Sequence, residues 1–294
     1  MSKPGDSNQI TREYFDSLLL ETRYWESDLP TTRMELFGSA FETPIMSAAL
    51  SHLHGVCDNG MVAMAQGVAA AGAVHWVGMT EEEELEEIIA SGAKTVKIIK
   101  PHLDDAVIFK KIEHANAHGA LAVGMDIDHC YSVNGTYDVV LGLPMHSKTK
   151  EDLRRYVNAS EAPFIVKGVL SVKDAEACME AGVKGIVVSH HHGIIPYAVP
   201  PLMILPEIKK VVGDQMKIFV DCGVSSGMDV FKALALGADA VCVGQYLMDA
   251  LKNGGPAVTE RINQMNRDLT TYMARTGAKS LSEIDPTVIH FRNF

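Results

Sequence analysis

The sequence predicts an α/β protein made of one (β/α)₈ barrel, and two observations support this. A short apolar run, a turn and a helical segment follow one another repeatedly, and eight such runs occur in the 294 residues. Near-continuous runs of Val and Ile are typical of strands that are buried on both faces of a parallel sheet. Eight units in a chain of this length allow the sheet to close into a barrel.

The predicted strands begin at residue 44 and continue to residue 244. They are Pro44–Ala48, Ala73–Gly78, Thr95–Lys100, Ala120–Asp126, Pro163–Gly168, Gly185–Ser189, Lys217–Asp221 and Ala240–Gly244. A doubly wound open sheet is the alternative architecture. No GxGxxG sequence follows the first strand, so the usual marker of a dinucleotide-binding domain is missing.

Helices are predicted between the strands from their caps and their final glycines. Thr80–Ser91 begins with a capping Thr and an acidic first turn, which suits the positive end of the helix dipole. Ser171–Ala181 begins with Ser171 as a possible N-cap and ends before Gly182. Asp229–Leu236 ends in the same way, before Gly237.

The domain organisation follows from where the repeated units begin and end. We predict an N-terminal extension over residues 1–43, and a barrel over residues 44–294 whose last part, Gly255–Phe294, forms helices outside it. A linker rich in Pro, Gly or Ser is not found, so a single domain is predicted.

Composition excludes several classes of function. The 26 Lys and Arg residues against 37 Asp and Glu residues give a formal charge of −11, which disfavours nucleic acid or an anionic membrane as partner. The five scattered cysteines form no CxxC pair, and neither a signal peptide nor a membrane-spanning run is predicted from the residues. We therefore expect a cytoplasmic protein with a small-molecule substrate.

Lys167 ends an apolar strand, and this position is informative. In a barrel the active site lies at the carboxyl ends of the strands. A buried, unpaired ammonium group is energetically costly, so Lys167 is expected to face an anion or an electron-rich ring. The alternative is that its side chain extends to the rim of the barrel and reaches water.

The turns after the seventh and eighth strands indicate an anion site. Asp221 is followed by the small residues Cys222–Gly227, and the eighth strand is followed by Gly244 and Gln245. Backbone N–H groups in such turns bind anions, and barrels often bind a phosphate at this place.

A run of three histidines, His190–His192, follows Ser189 at the end of the sixth strand. An imidazole at a barrel mouth is suited to act as a base near neutral pH. A metal site is the competing interpretation, with ligands from this run and from His52, His54, Asp126, Asp128 or His129. We predict no metal, because no HxH or HExxH pattern fixes a ligand set.

Two stretches resemble a known family. Residues 164–193 read FIVKGVLSVKDAEACMEAGVKGIVVSHHHG, and residues 218–251 read IFVDCGVSSGMDVFKALALGADAVCVGQYLMDAL. They resemble the FMN-dependent 2-hydroxy acid oxidase and dehydrogenase family, which includes glycolate oxidase and lactate dehydrogenases. The match is specific in the second half of the chain and looser in the first, so a divergent member is expected.

The resemblance implies an FMN cofactor over the barrel mouth. His191 matches the catalytic histidine, which takes a proton while a hydride equivalent passes to flavin N5. Lys167 matches a catalytic lysine beside flavin N1 and O2. The residues predicted to contact FMN are Ala48, Lys97, Asp126, Lys167, Ser189, Asp221, Gly223, Ser225, Gly244 and Gln245.

The chain also departs from the family pattern. The arginine that binds the substrate carboxylate is Ile194, and the two phosphate-binding arginines are Ser225 and Gln245. Isoleucine offers no hydrogen bonds to a carboxylate. Substrate contacts are therefore assigned to His190, His192 and Lys100.

These observations predict an FMN-dependent oxidoreductase acting on a small hydroxy-acid-like substrate. An FMN-dependent isomerase, an NAD(P)H-linked reductase of a non-carboxylate substrate and a metal-dependent barrel lyase are the alternatives. A degenerate barrel that only binds a phosphorylated ligand is the non-enzymatic alternative. The family resemblance also implies a homo-oligomer.

Overall fold

Eight parallel strands form the central sheet of the structure, a computed structural model that describes residues 4–292. They are β1 (Ile45–Ser47), β2 (His75–Val77), β3 (Thr95–Ile99), β4 (Ala122–Asp126), β5 (Phe164–Val169), β6 (Gly185–Val188), β7 (Lys217–Val220) and β8 (Ala240–Val243). Each strand lies within, or one residue beyond, a predicted segment.

The strand order in the sheet is β1-β8-β7-β6-β5-β4-β3-β2, so paired strands are consecutive in sequence except for β1 and β8, the first and the last. The two ends of this order, β1 and β2, meet where the barrel closes. There Ser47 N donates to Val74 O at 3.2 Å, and Leu50 forms a parallel bridge with Val77. These contacts bring the first and second strands together. The predicted (β/α)₈ barrel is confirmed.

Large side chains fill the inside of the barrel. Trp76 of β2 and Phe219 of β7 are fully buried, and their ring centroids lie 5.2 Å apart in an edge-to-face arrangement. Met46, Val96 and Ile165 belong to the same buried cluster. The interior between these rings is therefore a packed core.

One helix follows each strand around the outside. The helices are α1 (Gly60–Ala70), α2 (Glu82–Ala90), α3 (Asp105–Ala117), α4 (Lys150–Ala159), α5 (Val172–Glu180), α6 (Pro201–Val212), α7 (Gly227–Ala235) and α8 (Gln245–Leu251). Ser171 caps α5 as predicted, since its side chain accepts a hydrogen bond from Asp174 N. In the same way, Ser226 caps α7.

The prediction that Thr80 caps the second helix is wrong. That helix has Glu81 as its N-cap residue, without a side-chain hydrogen bond. Thr80 instead accepts a hydrogen bond at Oγ1 from Lys97 Nζ, at 2.7 Å. A buried ammonium group needs acceptors, and it takes the hydroxyl that the local pattern assigns to the cap.

The segment that precedes the barrel contacts the barrel at both the carboxyl and the amino ends of its strands. A helix over Ser7–Ser17, here called the N-terminal helix, lies against the loops after β6 and β7. A hairpin of Met34–Leu36 and Ser39–Phe41 packs into the barrel interior near the starts of β7 and β8. The strand Leu18–Leu20 pairs with Ile289–Phe291. The first three residues of the predicted extension lie outside the described residues.

One long helix, Gly255–Arg275, packs outside the barrel, as predicted for the first part of this segment. This helix lies so close to α1 and α7 that glycine is needed at both contacts. A Cβ on Gly67 would lie 2.4 Å from Gly255 O, and a Cβ on Gly227 would lie 2.5 Å from Met265 O. The later described residues do not form the predicted helices but two 3₁₀ turns and the strand Ile289–Phe291. The last two residues of the predicted segment lie outside the described part. The remaining short elements are the strands Val139–Val140 and Leu143–Pro144 and the 3₁₀ turns Leu53–Gly55, Ile127–Cys130, Leu281–Glu283 and Pro286–Val288.

Among residues 4–292, no helix has the length and apolar character needed to span a membrane.

Candidate active site

A cavity of about 550 Å³ opens at the carboxyl ends of the strands, where the sequence places the active site. Nine of the predicted site residues line it: Ala48, Lys167, His191, His192, Asp221, Gly223, Ser225, Gly244 and Gln245. They come from loops that are far apart in sequence, and closure of the barrel brings them together. This space is called the larger cavity.

Lys167 lies in the wall of the larger cavity with its ammonium group between carboxylates. Its Nζ is 3.3 Å from Asp126 Oδ1 and 3.6 Å from Asp221 Oδ2. Burial alone would lower the pKa of Lys167, but these carboxylates raise it well above its ordinary value. The two carboxylates therefore favour the charged form of Lys167.

Asp126 is the shared partner in this network. One of its oxygens accepts from Lys100 Nζ at 2.6 Å, and the other faces Lys167 Nζ and His191 Nδ1, both at 3.3 Å. Burial raises the pKa of a carboxyl group, but here the neighbouring lysines outweigh burial and hold the pKa of Asp126 well below its usual range. The carboxylate lies beneath the cavity and does not line it.

His191 has its Nδ1 edge turned toward two carboxylates. Nδ1 lies 2.9 Å from Asp128 Oδ1 and 3.3 Å from Asp126 Oδ1. Burial would lower the pKa of His191, but the hydrogen bonds to both carboxylates raise it to about 9. Its Nε2 has no hydrogen-bond partner within the described residues, so this nitrogen is available to a ligand in the larger cavity.

The backbone at His191 is held in an unusual conformation. Its φ is +49°, in the left-handed region that few residues other than glycine adopt. His191 N donates to Ser189 Oγ at 3.0 Å, which secures this turn. Ser189 is therefore a buried support of the loop, and its hydroxyl does not line the larger cavity.

Asp128, the partner of His191, packs so closely against residue 168 that only glycine fits there. Gly168 has a φ of +91°, and a Cβ there would lie 2.5 Å from the Asp128 carboxyl carbon. Burial raises the pKa of Asp128, although its hydrogen bond to His191 opposes the shift. The glycine after Lys167 is thus explained by this carboxyl group.

The turn after β7 is stabilised from within. Ser225 donates to Asp229 Oδ2 from its backbone N at 3.0 Å and from Oγ at 3.3 Å. Arg12 of the N-terminal helix pairs with the same carboxylate, at 3.0 Å. Both donor groups of Ser225 therefore shape the turn.

The N-terminal helix contributes a residue to the larger cavity that was not predicted from the sequence. Asn8 lines the larger cavity, and its side chain donates to His192 O at 3.0 Å. Only the acidic cap Asp6 marks the start of this helix in the sequence, and nothing local indicates where the helix packs.

Lys97 and Lys100 lie beside a second cavity of about 280 Å³, here called the smaller cavity, which the loops after β2 and β3 form with the Val139–Pro144 hairpin. Lys97 is buried, and its Nζ donates to Gly78 O at 2.5 Å. The structure thus does not place the Lys97 ammonium in the larger cavity with Lys167. Burial, and then Lys111, lower the pKa of Lys97 to about 7.

The structure does not support His190 as a substrate contact. Its ring is buried beneath the N-terminal helix, where Nε2 bonds Thr11 Oγ1 at 2.8 Å. Its Nδ1 accepts from Gly193 N at 2.9 Å. Both ring nitrogens are occupied, and among the three histidines only His191 and His192 line the larger cavity.

Asp126, His129 and His191 have ligand atoms within 4.8 Å of one another, which is a spacing that a metal ion can use. However, Lys167 Nζ lies 3.2 Å from the same Nδ1 of His191. An ammonium group at that distance repels a divalent cation, so the arrangement favours the prediction of no metal here.

Comparison with known proteins places this barrel in a family. Residues 2–153 and 140–291 match the family described as FMN-dependent dehydrogenase. The chain is 30% identical to an L-lactate oxidase of Lactobacillus jensenii over 91% of this chain and 73% of the relative. It is 27% identical to glycolate oxidase 3 of Arabidopsis thaliana over 96% of this chain and 87% of the relative. Other curated relatives align over only 34% to 46% of their own length.

A crystal structure of a mandelate oxidase variant superposes with a TM-score of 0.90, at 26% identity, over 99% of this chain and 93% of that one. The expected resemblance is confirmed along nearly the whole chain. The protein belongs to the family of FMN-dependent 2-hydroxy acid oxidases and dehydrogenases, whose cofactor is FMN.

Proposed function

We propose that this protein oxidises a small 2-hydroxy acid and that His191 is the base. The observation that supports the proposal most directly is the position of His191, with two carboxylates at Nδ1 and with Nε2 available to the larger cavity. A carboxylate at one ring nitrogen keeps the proton there and leaves the other nitrogen as the acceptor.

The residues of the larger cavity fit FMN. The volume of the larger cavity, about 550 Å³, lies within the usual range for cofactor sites. We assign the phosphate to the turns at Gly223–Ser225 and Gly244–Gln245, and the flavin ring to the side near Ala48 and Lys167. Because both the backbone N and the hydroxyl of Ser225 donate to Asp229, the other backbone N–H groups of the two turns are the main source of phosphate contacts in this assignment.

The roles of the side chains follow from their charges. FMN, when bound, accepts a hydride equivalent at N5. Lys167 provides a fixed positive charge that stabilises negative charge developing on the ring. His191 takes the proton of the substrate hydroxyl at Nε2 while the hydride equivalent leaves the neighbouring carbon, and Asp126 and Asp128 stabilise the imidazolium that forms.

Lys100 and His192 are the proposed substrate contacts. Lys100 Nζ has Asp126 as its one hydrogen-bond partner among the described residues, which leaves two of its three N–H donors for a carboxylate. Lys100 lines the smaller cavity and not the larger one, so this assignment requires the substrate carboxylate to extend from His191 toward the smaller cavity. Ile194, at the position of the family's arginine, has no such donor. We therefore propose that a lysine binds the substrate carboxylate in this protein.

One experiment separates this function from its alternatives. The purified protein is expected to carry flavin absorbance, and anaerobic addition of a panel of 2-hydroxy acids is expected to bleach it. Bleaching by NADPH but by no hydroxy acid would select the reductase. Colourless protein with no affinity for added FMN, and with an equivalent of zinc or iron that is lost in His129→Ala, would select the metal-dependent lyase.

A cytoplasmic location and a homo-oligomeric state complete the proposal. The location is supported by five cysteines that are all free. The oligomer is supported by the family resemblance. Light scattering on the purified protein tests the oligomeric state, and fractionation of the native cells tests the location.

A further inference from the structure

A second group of potential metal ligands lies outside the barrel, where side chains of α2 meet side chains at and after the end of α3. Glu86 lies on α2, His114 lies on the last turn of α3, and His118 follows that helix directly. His114 and His118 are four residues apart and therefore lie on one face. Their Nε2 atoms lie 3.0 Å and 3.4 Å from the same oxygen, Glu86 Oε1.

These separations suit a shared metal ion. Zinc bound tetrahedrally with bonds of about 2.0–2.1 Å places its ligand atoms about 3.3 Å apart. One ligand atom from each of the three residues lies within 4.8 Å of the other two. The His118 separation of 3.4 Å is longer than an ordinary hydrogen bond.

The ring of His118 is already in the required tautomer. Its Nδ1 donates to the carbonyl oxygen of His114 at 2.8 Å, so the lone pair of the neutral ring lies on Nε2. Metal-binding histidines commonly donate their other N–H to a carbonyl group in this way, which fixes the ring orientation. The two imidazole rings lie 4.3 Å apart.

The surroundings allow a cation to enter. The side chains of His118 and Glu86 are 38% and 47% exposed, so water can complete the coordination. The neighbouring Lys110 is held by Glu82 at 2.8 Å. The first turn of α2 carries Glu82, Glu83 and Glu84, and its charge is favourable to a divalent ion.

We propose that Glu86, His114 and His118 bind one transition-metal ion of the zinc class, which links α2 to α3. Two imidazole nitrogens and one carboxylate favour Zn²⁺, Co²⁺ or Ni²⁺ over Mg²⁺ and Ca²⁺, which prefer oxygen ligands. The site is independent of the proposed oxidation, because none of its residues lines either cavity at the mouth.

The test is calorimetric titration of Zn²⁺ into the chelator-treated, flavin-containing full-length protein. The wild type is expected to bind one equivalent and to melt at a higher temperature with the metal. Glu86→Gln, His114→Ala and His118→Ala are each expected to weaken binding about tenfold or more, with circular dichroism confirming that each variant is folded. Co²⁺ should give the visible bands of a four-coordinate site.

His290→Ala is the matched control, because His290 Nε2 pairs with Glu21 at 2.8 Å on the surface without a second histidine. It is expected to leave zinc affinity unchanged. The proposal is overturned if the wild type binds no zinc equivalent, or if all three ligand variants bind as tightly as the wild type. It is also overturned if His129→Ala, instead of His114→Ala, removes the bound equivalent, because the ion would then lie at the barrel mouth.

Discussion

Nδ1 of His191 lies 2.9 Å from Oδ1 of Asp128, while Asp126 faces the same nitrogen from 3.3 Å. A buried imidazole normally loses its proton more easily, yet here the two carboxylates raise the pKa of His191 to about 9. The pair therefore sets both the direction in which the ring points and the pH at which it becomes a base.

Asp128→Asn is expected to lower the pKa of His191, because one of its two carboxylates is removed. The base must be neutral to accept a proton, so the rising limb of kcat/KM against pH should move to lower pH, by about one unit. Stopped-flow measurements of flavin reduction across pH 6–10 check this. Asp138→Asn is the control, since that carboxylate lies 3.6 Å from His129. A limb that stays in place in Asp128→Asn contradicts the assignment.

Lys167→Met is expected to abolish flavin binding and to destabilise the fold. The substitution removes the cation between Asp126 and Asp221, and breaking a buried ion pair costs about 3–5 kcal/mol. Flavin absorbance per protein and urea unfolding measure the two effects. Lys232→Met is the matched control, because this buried lysine bonds Phe15 O away from both cavities. Full flavin content in folded Lys167→Met would rule out the proposed role.

Arg12→Ala is expected to weaken FMN binding without slowing flavin reduction once the enzyme is loaded. Without Arg12, the Asp229 carboxylate next to Ser225 loses its cation and repels the cofactor phosphate. The dissociation constant of FMN should rise about tenfold, corresponding to about 1.4 kcal/mol. Fluorescence titration of the apoprotein measures it, with the exposed Arg267→Ala as control. Equal affinities in the two variants would contradict the prediction.

His75 should make the protein sensitive to acid. Burial lowers the pKa of its ring to about 3, whereas the unfolded chain has an ordinary histidine. As pH falls below about 6.5 the unfolded state takes up a proton that the folded state does not, so stability falls. Between pH 7 and pH 5.5 this amounts to about 1.3 kcal/mol for one histidine.

Urea unfolding of His75→Gln at the two pH values checks this. The variant should lose less stability than the wild type over the same interval, by about that amount. His290→Gln, at an exposed position, should behave like the wild type. An identical loss in wild type and His75→Gln would show that another group carries the effect.

The barrel, and the placement of Lys167 and His191 at its mouth, are predictable from sequence, and the reason is physical. Strands buried on both faces need continuous apolar runs, which identify all eight strands. A lysine inside such a run needs a charged partner, so Lys167 is conspicuous among the apolar residues around it. The position of His191 follows because it lies in the turn directly after β6, at the carboxyl end of a closed barrel.

Other features depend on contacts between distant segments, and local patterns do not report them. Thr80 has the sequence of a helix cap, but Lys97 takes its hydroxyl. His190 lies in the same run as His191, but the N-terminal helix covers its ring through Thr11. The ion pair between Arg12 and Asp229 joins residues 217 positions apart and has no signature in sequence.

The proposed role of His191 is to remove the hydroxyl proton during oxidation of a 2-hydroxy acid, and anaerobic rapid mixing of His191→Ala with the acid measures its contribution. The variant is expected to retain its flavin and to be reduced about 10²–10⁴-fold more slowly than the wild type. Reduction of the flavin at the wild-type rate in His191→Ala would contradict the account.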